Sequence, residues 1–267
     1  MQRFSLEGKS ALVIGASNPI GRAIAVALAE AGADVGVATT TTNPDETVLV
    51  NSCANEIWAL DRKHFAHTIH GGDEADVEVV IHRTVSELGR IDILVNAHDL
   101  PFAKPTLETD YAEWHAVINA NLGGVFLASK YAAREMLKHK WGRIINVASV
   151  HGLVASSEKS AYVAAKHALV GLTKVTALEN ATSGVTCNAI CPGWVLTQLV
   201  QKQIDARVAA GAASNADAVK QLLAEKEPSL QFTTPEELGA LAVFFCSPAG
   251  NNVRGVAWNM DGGWAAQ

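Results

Sequence analysis

Residues 144–166 read Ile-Ile-Asn-Val-Ala-Ser-Val-His-Gly, then a seven-residue loop, then Ser-Ala-Tyr-Val-Ala-Ala-Lys. The apolar run predicts a buried strand that ends at Ser149, and the segment after the loop predicts a helix that carries Tyr162 and Lys166. Residues four apart lie about one turn apart on a helix, so the phenol and the ammonium share a face, and a serine at the strand end can meet them. The stretch therefore predicts an acid–base site.

Tyrosine is a weak base because the pKa of its phenol is ordinarily about 10. A neighbouring ammonium group stabilises the phenolate and moves that pKa toward neutrality. We therefore expect Lys166 to lower the pKa of Tyr162 and to make it usable as a general base. Tyrosine and lysine at this spacing also occur by chance in many helices, so an ordinary helix is the alternative.

Strands and helices alternate on both sides of this stretch. Apolar runs predict strands at residues 10–15, 33–38, 65–69, 91–96, 142–148, 185–190 and 256–260. Helical patterns occupy residues 22–31, 74–88, 110–138, 162–180 and 234–246, the last of which opens with a capping box. Strands that alternate with helices form a parallel sheet covered on both faces. We expect a Rossmann-type doubly wound α/β fold in a single domain, residues 1–267.

One segment departs from this alternation. Residues 197–228 lie between the sixth strand and the capped helix, are helical in composition, and have an Ala/Gly/Ser/Asn-rich middle at residues 209–216. The segment follows a strand end that faces the predicted site, where open α/β sheets bind ligands. It therefore predicts a helical lid, and a solvated helical hairpin is the alternative.

Composition narrows the function classes. The chain has 267 residues, of which 49% are hydrophobic and 18% charged, and this suits one α/β domain with a sizeable core. A net charge of −6 with dispersed Lys and Arg argues against a nucleic-acid partner. No apolar run reaches the roughly 18 residues of a membrane span, and no signal-peptide pattern is visible, so we expect a soluble cytoplasmic protein. The four dispersed cysteines predict reduced, buried thiols and no metal site.

Together these features resemble the short-chain dehydrogenase/reductase family. The resemblance also rests on an Asn-Leu-Gly-Gly-Val-Phe run at Asn121 and on Cys-Pro-Gly-Trp-Val at residues 191–195. It implies a nicotinamide-dependent oxidoreductase in which the protein supplies mainly a general base. By resemblance, Ser149 holds the substrate oxygen, Tyr162 transfers the proton, Lys166 lowers the tyrosine pKa and holds the nicotinamide ribose, and Asn121 orders a relay water.

The residues around the predicted pocket indicate the substrate class. His151 and Lys159 lie between the serine and the tyrosine, and two potential cations favour an anion. Within the family, the chain resembles the bacterial D-3-hydroxybutyrate dehydrogenases. That resemblance implies that His151, Lys159 and Gln203 bind the carboxylate of a small hydroxy or oxo acid, with Trp194 as an apolar wall. The alternative is that His151 and Lys159 are ordinary polar loop residues.

The glycine-rich turn departs from the family pattern. The family has Thr-Gly-x-x-x-Gly-Ile-Gly, whereas residues 14–21 read Ile-Gly-Ala-Ser-Asn-Pro-Ile-Gly. Pro19 therefore replaces a glycine, fixes φ and removes one amide donor at the expected pyrophosphate site. The amides of Ile20 and Gly21 remain at the helix N-terminus. The full set of expected cofactor-binding residues is Gly15, Ile20, Gly21, Asn96, Tyr162, Lys166 and Val195.

Further departures surround the expected cofactor. The family's Asn-Asn-Ala-Gly aligns with residues 96–99, Asn-Ala-His-Asp, which places His98 and Asp99 where an alanine and a glycine would lie. An acid expected near the adenine aligns with His70, and the second strand ends at Thr39, which is neither acidic nor basic. A substrate-binding glutamine becomes Pro101. We expect weakened binding of NAD, and preference for NAD over NADP because no Arg or Lys occupies the turn.

Three hypotheses follow. The first is an NAD(H)-dependent oxidoreductase that interconverts a small 3-hydroxy acid, such as D-3-hydroxybutyrate, and its 3-oxo acid. The second is a cofactor-impaired, catalytically silent subunit that pairs with an active homologue. The third is a small-acid binding module, or proton chemistry without a nicotinamide. The resemblance implies a homotetramer formed through the helices that carry Asn121 and Tyr162, and the silent-subunit hypothesis implies a hetero-oligomer.

Overall fold

Parallel strands form the centre of the protein in the computed structural model, which describes residues 2–41, 43–69 and 73–267. Within these residues they form one seven-stranded sheet in the order β3-β2-β1-β4-β5-β6-β7. The order reverses between β1 and β4, and open α/β sheets bind ligands at such a switch point. The predicted Rossmann-type doubly wound fold is confirmed. The strands are β1 (Ser10–Ile14), β2 (Asp34–Thr39), β3 (His64–Thr68), β4 (Ile93–Asn96), β5 (Gly142–Val147), β6 (Val185–Pro192) and β7 (Ala257–Met260).

Helices connect the strands and cover both faces of the sheet. Side chains alternate along β1, so Val13 packs with Ile24 on one face, whereas Leu12 packs with Val77 on the other. Burial on both faces explains why the strands read as continuous apolar runs. The helices are α1 (Pro19–Glu30), α2 (Pro44–Ala59), α3 (Glu74–Leu88), α4 (Tyr111–Ile118), α5 (Gly124–Lys138), α6 (Ser160–Glu179), α7 (Gln198–Ala209), α8 (Asn215–Ala224) and α9 (Pro235–Cys246).

Two features of the helices differ from the prediction. The apolar pattern does not predict α2, whose buried residues are few and follow a polar first turn. The predicted helix at residues 110–138 is divided by a π-helical turn, Asn119–Gly123. The turn contains Asn121, which is only 1% exposed. Single π-turns inside helices often mark functional sites because they redirect one side chain.

His70 lies outside the described residues, so its predicted place beside the adenine stays a prediction.

The predicted lid consists of α7 and α8. Thr197 and Ser214 cap the two helices, and the helices pack on each other through a small apolar cluster that includes Ile204 and Leu222. Trp194, which precedes the lid, packs against the same cluster. The segment is therefore a helical hairpin with its own small core, and its closure over a ligand stays a prediction.

The described cysteines are all free and buried. Burial raises the pKa of the thiols of Cys53, Cys187 and Cys246 to about 12, and that of Cys191 to about 11. The expectation of buried thiols is confirmed, and their reduced state stays a prediction. No described helix is long and apolar enough to cross a membrane.

A buried glutamate joins the end of the lid to the sheet. The backbone amide of Trp194 donates a hydrogen bond to Glu227, which is 1% exposed. Burial raises the pKa of the Glu227 carboxyl to about 7; the Trp194 amide opposes this shift and the nearby charge of Asp261 adds to it. The second carboxylate oxygen of Glu227 has no hydrogen-bond partner among the described residues.

We expect Glu227→Gln to stabilise the protein at pH 8 and to change its stability much less at pH 5. The pKa of Glu227 in the folded state, about 7, lies above its ordinary value of 4.5, so the unfolding free energy falls as pH rises through this window. Glutamine keeps the acceptor for the Trp194 amide and removes the buried charge. The gain at pH 8 is on the order of 2 kcal/mol.

Urea unfolding at pH 5 and pH 8 measures this effect. Glu179→Gln is the matched control, because Glu179 is exposed at the end of α6. A Glu227→Gln protein whose stability depends on pH as the unmodified protein does would contradict the prediction.

Candidate active site

The strand and the helix predicted to carry the acid–base residues bring them together. Ser149 follows β5, and its Oγ accepts a hydrogen bond of 3.1 Å from the backbone amide of His151. Tyr162 and Lys166 lie on the buried face of α6, with exposed fractions of 9% and 1%. The Ser149 hydroxyl lies close enough to the Tyr162 phenol to lower its pKa. The predicted meeting of serine, tyrosine and lysine is therefore present in the structure.

An aspartate occupies the centre of this cluster. The Tyr162 hydroxyl donates to the carboxylate of Asp99, at 3.1 Å from Oδ1 and 3.2 Å from Oδ2. The Lys166 ammonium lies 2.9 Å from Asp99 Oδ1 and donates a second bond, of 3.2 Å, to the carbonyl of Val147. The Asp99 side chain is 39% exposed, whereas that of Lys166 is 2% exposed. The Asp99 carboxylate therefore contacts both the buried tyrosine and the buried lysine while part of its side chain faces solvent.

This arrangement reverses the expected effect on the tyrosine. Burial raises the pKa of Tyr162 well above its ordinary value, and the charge and the hydrogen bond of Asp99 raise it further, while the Ser149 hydroxyl lowers it. Both Asp99 contacts favour the neutral phenol, and the ion pair with Asp99 offsets the charge of Lys166. The pKa of Tyr162 is therefore raised in this arrangement, and its lowering by Lys166 stays a prediction for a site that Asp99 has left.

His151 is buried between aromatic rings and hydroxyls. Its Nε2 lies 3.0 Å from Ser156 Oγ, and its ring meets those of Tyr162 and Trp264 edge-on, with centroids 5.9 and 5.2 Å apart. Burial lowers the pKa of His151 to about 4, and the positive charge of Lys159 adds to the shift. His151 is therefore neutral near pH 7, and the expectation of two cations at this place is wrong for the histidine.

The ammonium of Lys159 lies 5.7 Å from the ring centroid of Tyr162. Burial lowers the pKa of Lys159, while the charge of Asp99 raises it. A second ammonium, that of Lys226, lies 6.0 Å from the ring of Trp264. Lys226 and Trp264 are distant in sequence from residues 144–166, and the spacing of residues along the chain does not indicate that they meet that stretch. The mouth of the site thus carries two lysines, one of which the sequence did not predict.

The remaining predicted substrate residues lie at the base of the lid. The ring of Trp194 stacks obliquely on that of Trp264, with centroids 5.9 Å apart. The indole Nε1 of Trp194 is buried and has no hydrogen-bond partner among the described residues. Val195 is 4% exposed and pairs with Thr233 through an isolated bridge. Gln203 is half-buried on α7, and its carboxylate-binding role stays a prediction.

Asn121 holds the backbone beside Asp99. Its side-chain Oδ1 accepts from the amide of Leu100 and its Nδ2 donates to the carbonyl of Leu100, both at 2.9 Å. Both ends of the amide are therefore used to fix the loop that follows β4. Ordering of a relay water by Asn121 stays a prediction.

The turn after β1 retains part of the predicted dinucleotide site. Gly15 has φ of +96°, and a Cβ built there would lie 2.3 Å from the backbone nitrogen of His98. Only glycine allows this close approach to the loop after β4. Pro19 is the first residue of α1, a position at which proline is favoured because its missing N–H would have no helical partner. The proline therefore leaves the helix start intact.

One predicted amide donor is already engaged. The Gly21 amide donates to Asn18 Oδ1 at 2.9 Å, and Asn18 Nδ2 donates to the carbonyl of Ala97 at 2.8 Å. Asn18 therefore engages the Gly21 amide in this structure, and a role of Gly21 in cofactor binding stays a prediction. No described residue accepts from the Ile20 amide, which remains available at the positive end of the α1 dipole.

A cavity of about 240 Å³ opens at the switch point of the sheet. Asn96 lines it, although its side chain also donates to Asn146 at 2.9 Å inside the sheet. His98 lines it too, and burial, followed by the charge of Lys166, lowers the pKa of His98 to about 4. A neutral histidine and a mostly apolar wall suit an aromatic base. Together with Gly15 and the Ile20 amide, these residues fit a dinucleotide, provided that Asp99 leaves Lys166.

Comparisons with known proteins agree with this geometry. Residues 9–208 match the family described as short chain dehydrogenase. The chain is 47% identical to the D-beta-hydroxybutyrate dehydrogenase of Cupriavidus necator, across 98% of this chain and 100% of that protein. It is 38% identical to the D-beta-hydroxybutyrate dehydrogenase of Rhizobium meliloti, across 97% and 99%.

Solved structures show the same fold. A putative short-chain alcohol dehydrogenase from Sinorhizobium meliloti superposes with a TM-score of 0.86 at 33% identity, covering 99% of each chain. A variant of actinorhodin polyketide ketoreductase, solved with NADPH, superposes with a TM-score of 0.88 at 29% identity, covering 97% of this chain and 98% of that one. The protein is a member of the short chain dehydrogenase family, whose oxidoreductases use NAD or NADP.

Proposed function

We propose that the protein is an NAD-dependent oxidoreductase that interconverts a small 3-hydroxy acid, such as D-3-hydroxybutyrate, and its 3-oxo acid. The observation that carries the proposal is the position of Tyr162, whose hydroxyl is close enough to Ser149 to feel it electrostatically and whose ring centroid lies 5.7 Å from the ammonium of Lys159. A proton-transfer group beside a cation suits a substrate that has an alcohol close to a carboxylate. Two similar proteins are D-beta-hydroxybutyrate dehydrogenases.

Each residue of the pocket has a distinct task in substrate binding. Lys159 holds the carboxylate, and Lys226 adds a second positive charge at the mouth. Neutral His151 offers a hydrogen bond without repelling the lysines, since its pKa is about 4. The rings of Trp194 and Trp264 form the apolar wall for the short carbon chain. Gln203, on the first lid helix, would add an amide donor for the carboxylate.

The chemistry is hydride transfer with a matching proton transfer. Bound NAD supplies the hydride acceptor at the reacting carbon, and the same cofactor in its reduced form supplies the donor. Ser149 holds the substrate oxygen, and Tyr162 takes the hydroxyl proton in oxidation and returns it in reduction. Asp99 must first leave Tyr162 and Lys166, because only then does the Lys166 charge face the phenol alone and favour phenolate.

The cofactor-binding residues are divided between the two ends of the crevice. The Ile20 amide and the start of α1 would hold the pyrophosphate, with Gly15 allowing close approach. Lys166 and Tyr162 would hold the nicotinamide ribose, beside Val195.

Assembly and location complete the proposal. Exposed apolar side chains on α5 and α6 fit a homotetramer formed through these helices; they are Phe126, Val175 and Leu178, with exposed fractions of 49%, 51% and 76%. The free, buried cysteines fit the reducing cytoplasm.

Tyr162→Phe should lower kcat for D-3-hydroxybutyrate by roughly 10²- to 10⁴-fold, since a placed proton-transfer group contributes about that factor. The ring still packs against Val117 and Ala161, so the fold should persist. NADH appearance at 340 nm measures the rate, and circular dichroism checks the fold. A folded variant that keeps most of its activity would mean that another group transfers the proton. An unmodified protein that turns over no short 3-hydroxy acid would favour the silent-subunit hypothesis.

Lys159→Met should raise KM for D-3-hydroxybutyrate by roughly tenfold or more and leave kcat nearly unchanged, because it removes a charged hydrogen bond made equally in the ground and transition states. Turnover of a neutral secondary alcohol such as 2-butanol should not fall. Lys174→Met, at an exposed position on α6, the helix that follows Lys159, is the control and should change neither constant. An unchanged KM for the acid would show that Lys159 does not bind the carboxylate.

Asp99→Asn should tighten NAD binding by about tenfold, because binding no longer requires breaking an ion pair with Lys166. The apparent pKa of the alkaline rise in kcat/KM for oxidation should move down, because the carboxylate that raises the pKa of Tyr162 is gone. Calorimetric titration and a pH–rate profile measure the two effects. Asp99→Gly should act in the same direction. Unchanged affinity together with an unchanged profile would show that Asp99 does not control the site.

A further inference from the structure

A carboxylate lies at the end of β2, although β2 itself ends in a threonine. Glu46 belongs to the first turn of α2, which begins at Pro44. Its Oε2 accepts hydrogen bonds from Ser17 Oγ at 2.9 Å and from Thr39 Oγ1 at 3.1 Å. Ser17 lies in the turn after β1, and Thr39 is the last residue of β2. The two hydroxyls thus fix the carboxylate over the crevice between these strands.

One oxygen of this carboxylate remains free. Both hydroxyls bond to Oε2, and no hydrogen bond from the described part of the chain reaches Oε1. Within the same residues, no Lys or Arg forms an ion pair with Glu46. Glu46 therefore presents an uncompensated negative charge and an acceptor oxygen.

The charge is directed at the proposed cofactor crevice. The negative charge of Glu46 reaches His98 and raises its pKa, although burial and Lys166 outweigh this effect. His98 and Thr40 both line the 240 Å³ cavity at the switch point. Glu46 thus lies near His98 in the wall of this cavity and against the turn after β1 and the end of β2, where we place the adenosine ribose.

We infer that Glu46 selects NAD over NADP: its free carboxylate oxygen accepts a hydrogen bond from the adenosine ribose 2′-hydroxyl and repels a 2′-phosphate. The inference rests on the proposed function, because it assigns the residue that chooses between its two candidate cofactors. In doubly wound folds an acid near the end of the second strand binds this hydroxyl. Here the acid comes from the following helix, seven residues after Thr39, which the sequence pattern did not reveal.

A carboxylate discriminates for two reasons. It has no proton to donate, so it cannot hydrogen-bond a phosphate oxygen as it does a hydroxyl. A 2′-phosphate also adds close to two negative charges beside an acid that has no neighbouring cation. Ser17 and Thr39 hold the acid in place and are already used as donors to it, so neither is free to receive the phosphate.

The test uses ADP-ribose and 2′-phospho-ADP-ribose, which carry the adenosine half of each cofactor but lack the nicotinamide. Both fragments keep the ribose that Lys166 would hold, so Asp99 opposes them equally and the ratio of their affinities reports on the adenosine 2′-position alone. Isothermal calorimetry should show that the unmodified protein binds ADP-ribose at least roughly tenfold more tightly than its 2′-phosphate. Glu46→Gln should weaken ADP-ribose binding several-fold and reduce the selectivity by about tenfold or more.

Asp45→Asn is the matched control, because Asp45 lies exposed in the same turn and should leave both affinities unchanged. Glutamine at position 46 keeps an acceptor for Ser17 and Thr39. Thr39→Val removes one of the two donors to Glu46, and its selectivity should lie between that of the unmodified protein and that of Glu46→Gln. Unchanged selectivity in Glu46→Gln would overturn the inference and leave the proposed function standing. Selective binding that depends on Glu46, in a protein that does not turn over NAD, would support the inference and overturn the proposed function. An unmodified protein that binds neither fragment would overturn both.

Discussion

The contact of the Asp99 carboxylate with the Tyr162 hydroxyl and the Lys166 ammonium determines the state of the whole site. It favours a protonated phenol, offsets the buried lysine charge and occupies the groups that we propose to hold the nicotinamide ribose. Because the Asp99 side chain is partly exposed, water can solvate the carboxylate when it leaves. In the proposed mechanism, the Asp99 side chain must therefore move away from Tyr162 and Lys166 before catalysis.

The scaffold fixes Asp99 from both sides. Asn121, turned inward by the π-helical turn, binds the backbone of Leu100 through both ends of its amide. On the other side, Gly15 approaches the backbone of His98 so closely that no side chain fits between them. The backbone of the loop after β4 is thus held on both sides, so in the proposed mechanism Asp99 yields to the cofactor by rotation of its side chain.

The fold and the meeting of Ser149, Tyr162 and Lys166 could be predicted, because strand alternation and helical periodicity depend on local spacing. The protonation states of the site residues could not be predicted, since they depend on burial and on residues that are distant in sequence. His151 was expected to be a cation, yet burial beside Lys159 keeps it neutral. Glu46 replaces the missing acid of β2 from a helix that the pattern did not predict.

A crystal structure of the protein with NAD tests the central claim most directly. The account predicts ordered NAD, with Lys166 Nζ bound to the nicotinamide ribose and Asp99 more than about 4 Å away, beyond ion-pair distance. Ordered NAD with the pair between Asp99 and Lys166 still intact would contradict the claim. So would crystals soaked at millimolar NAD in which the crevice stays empty.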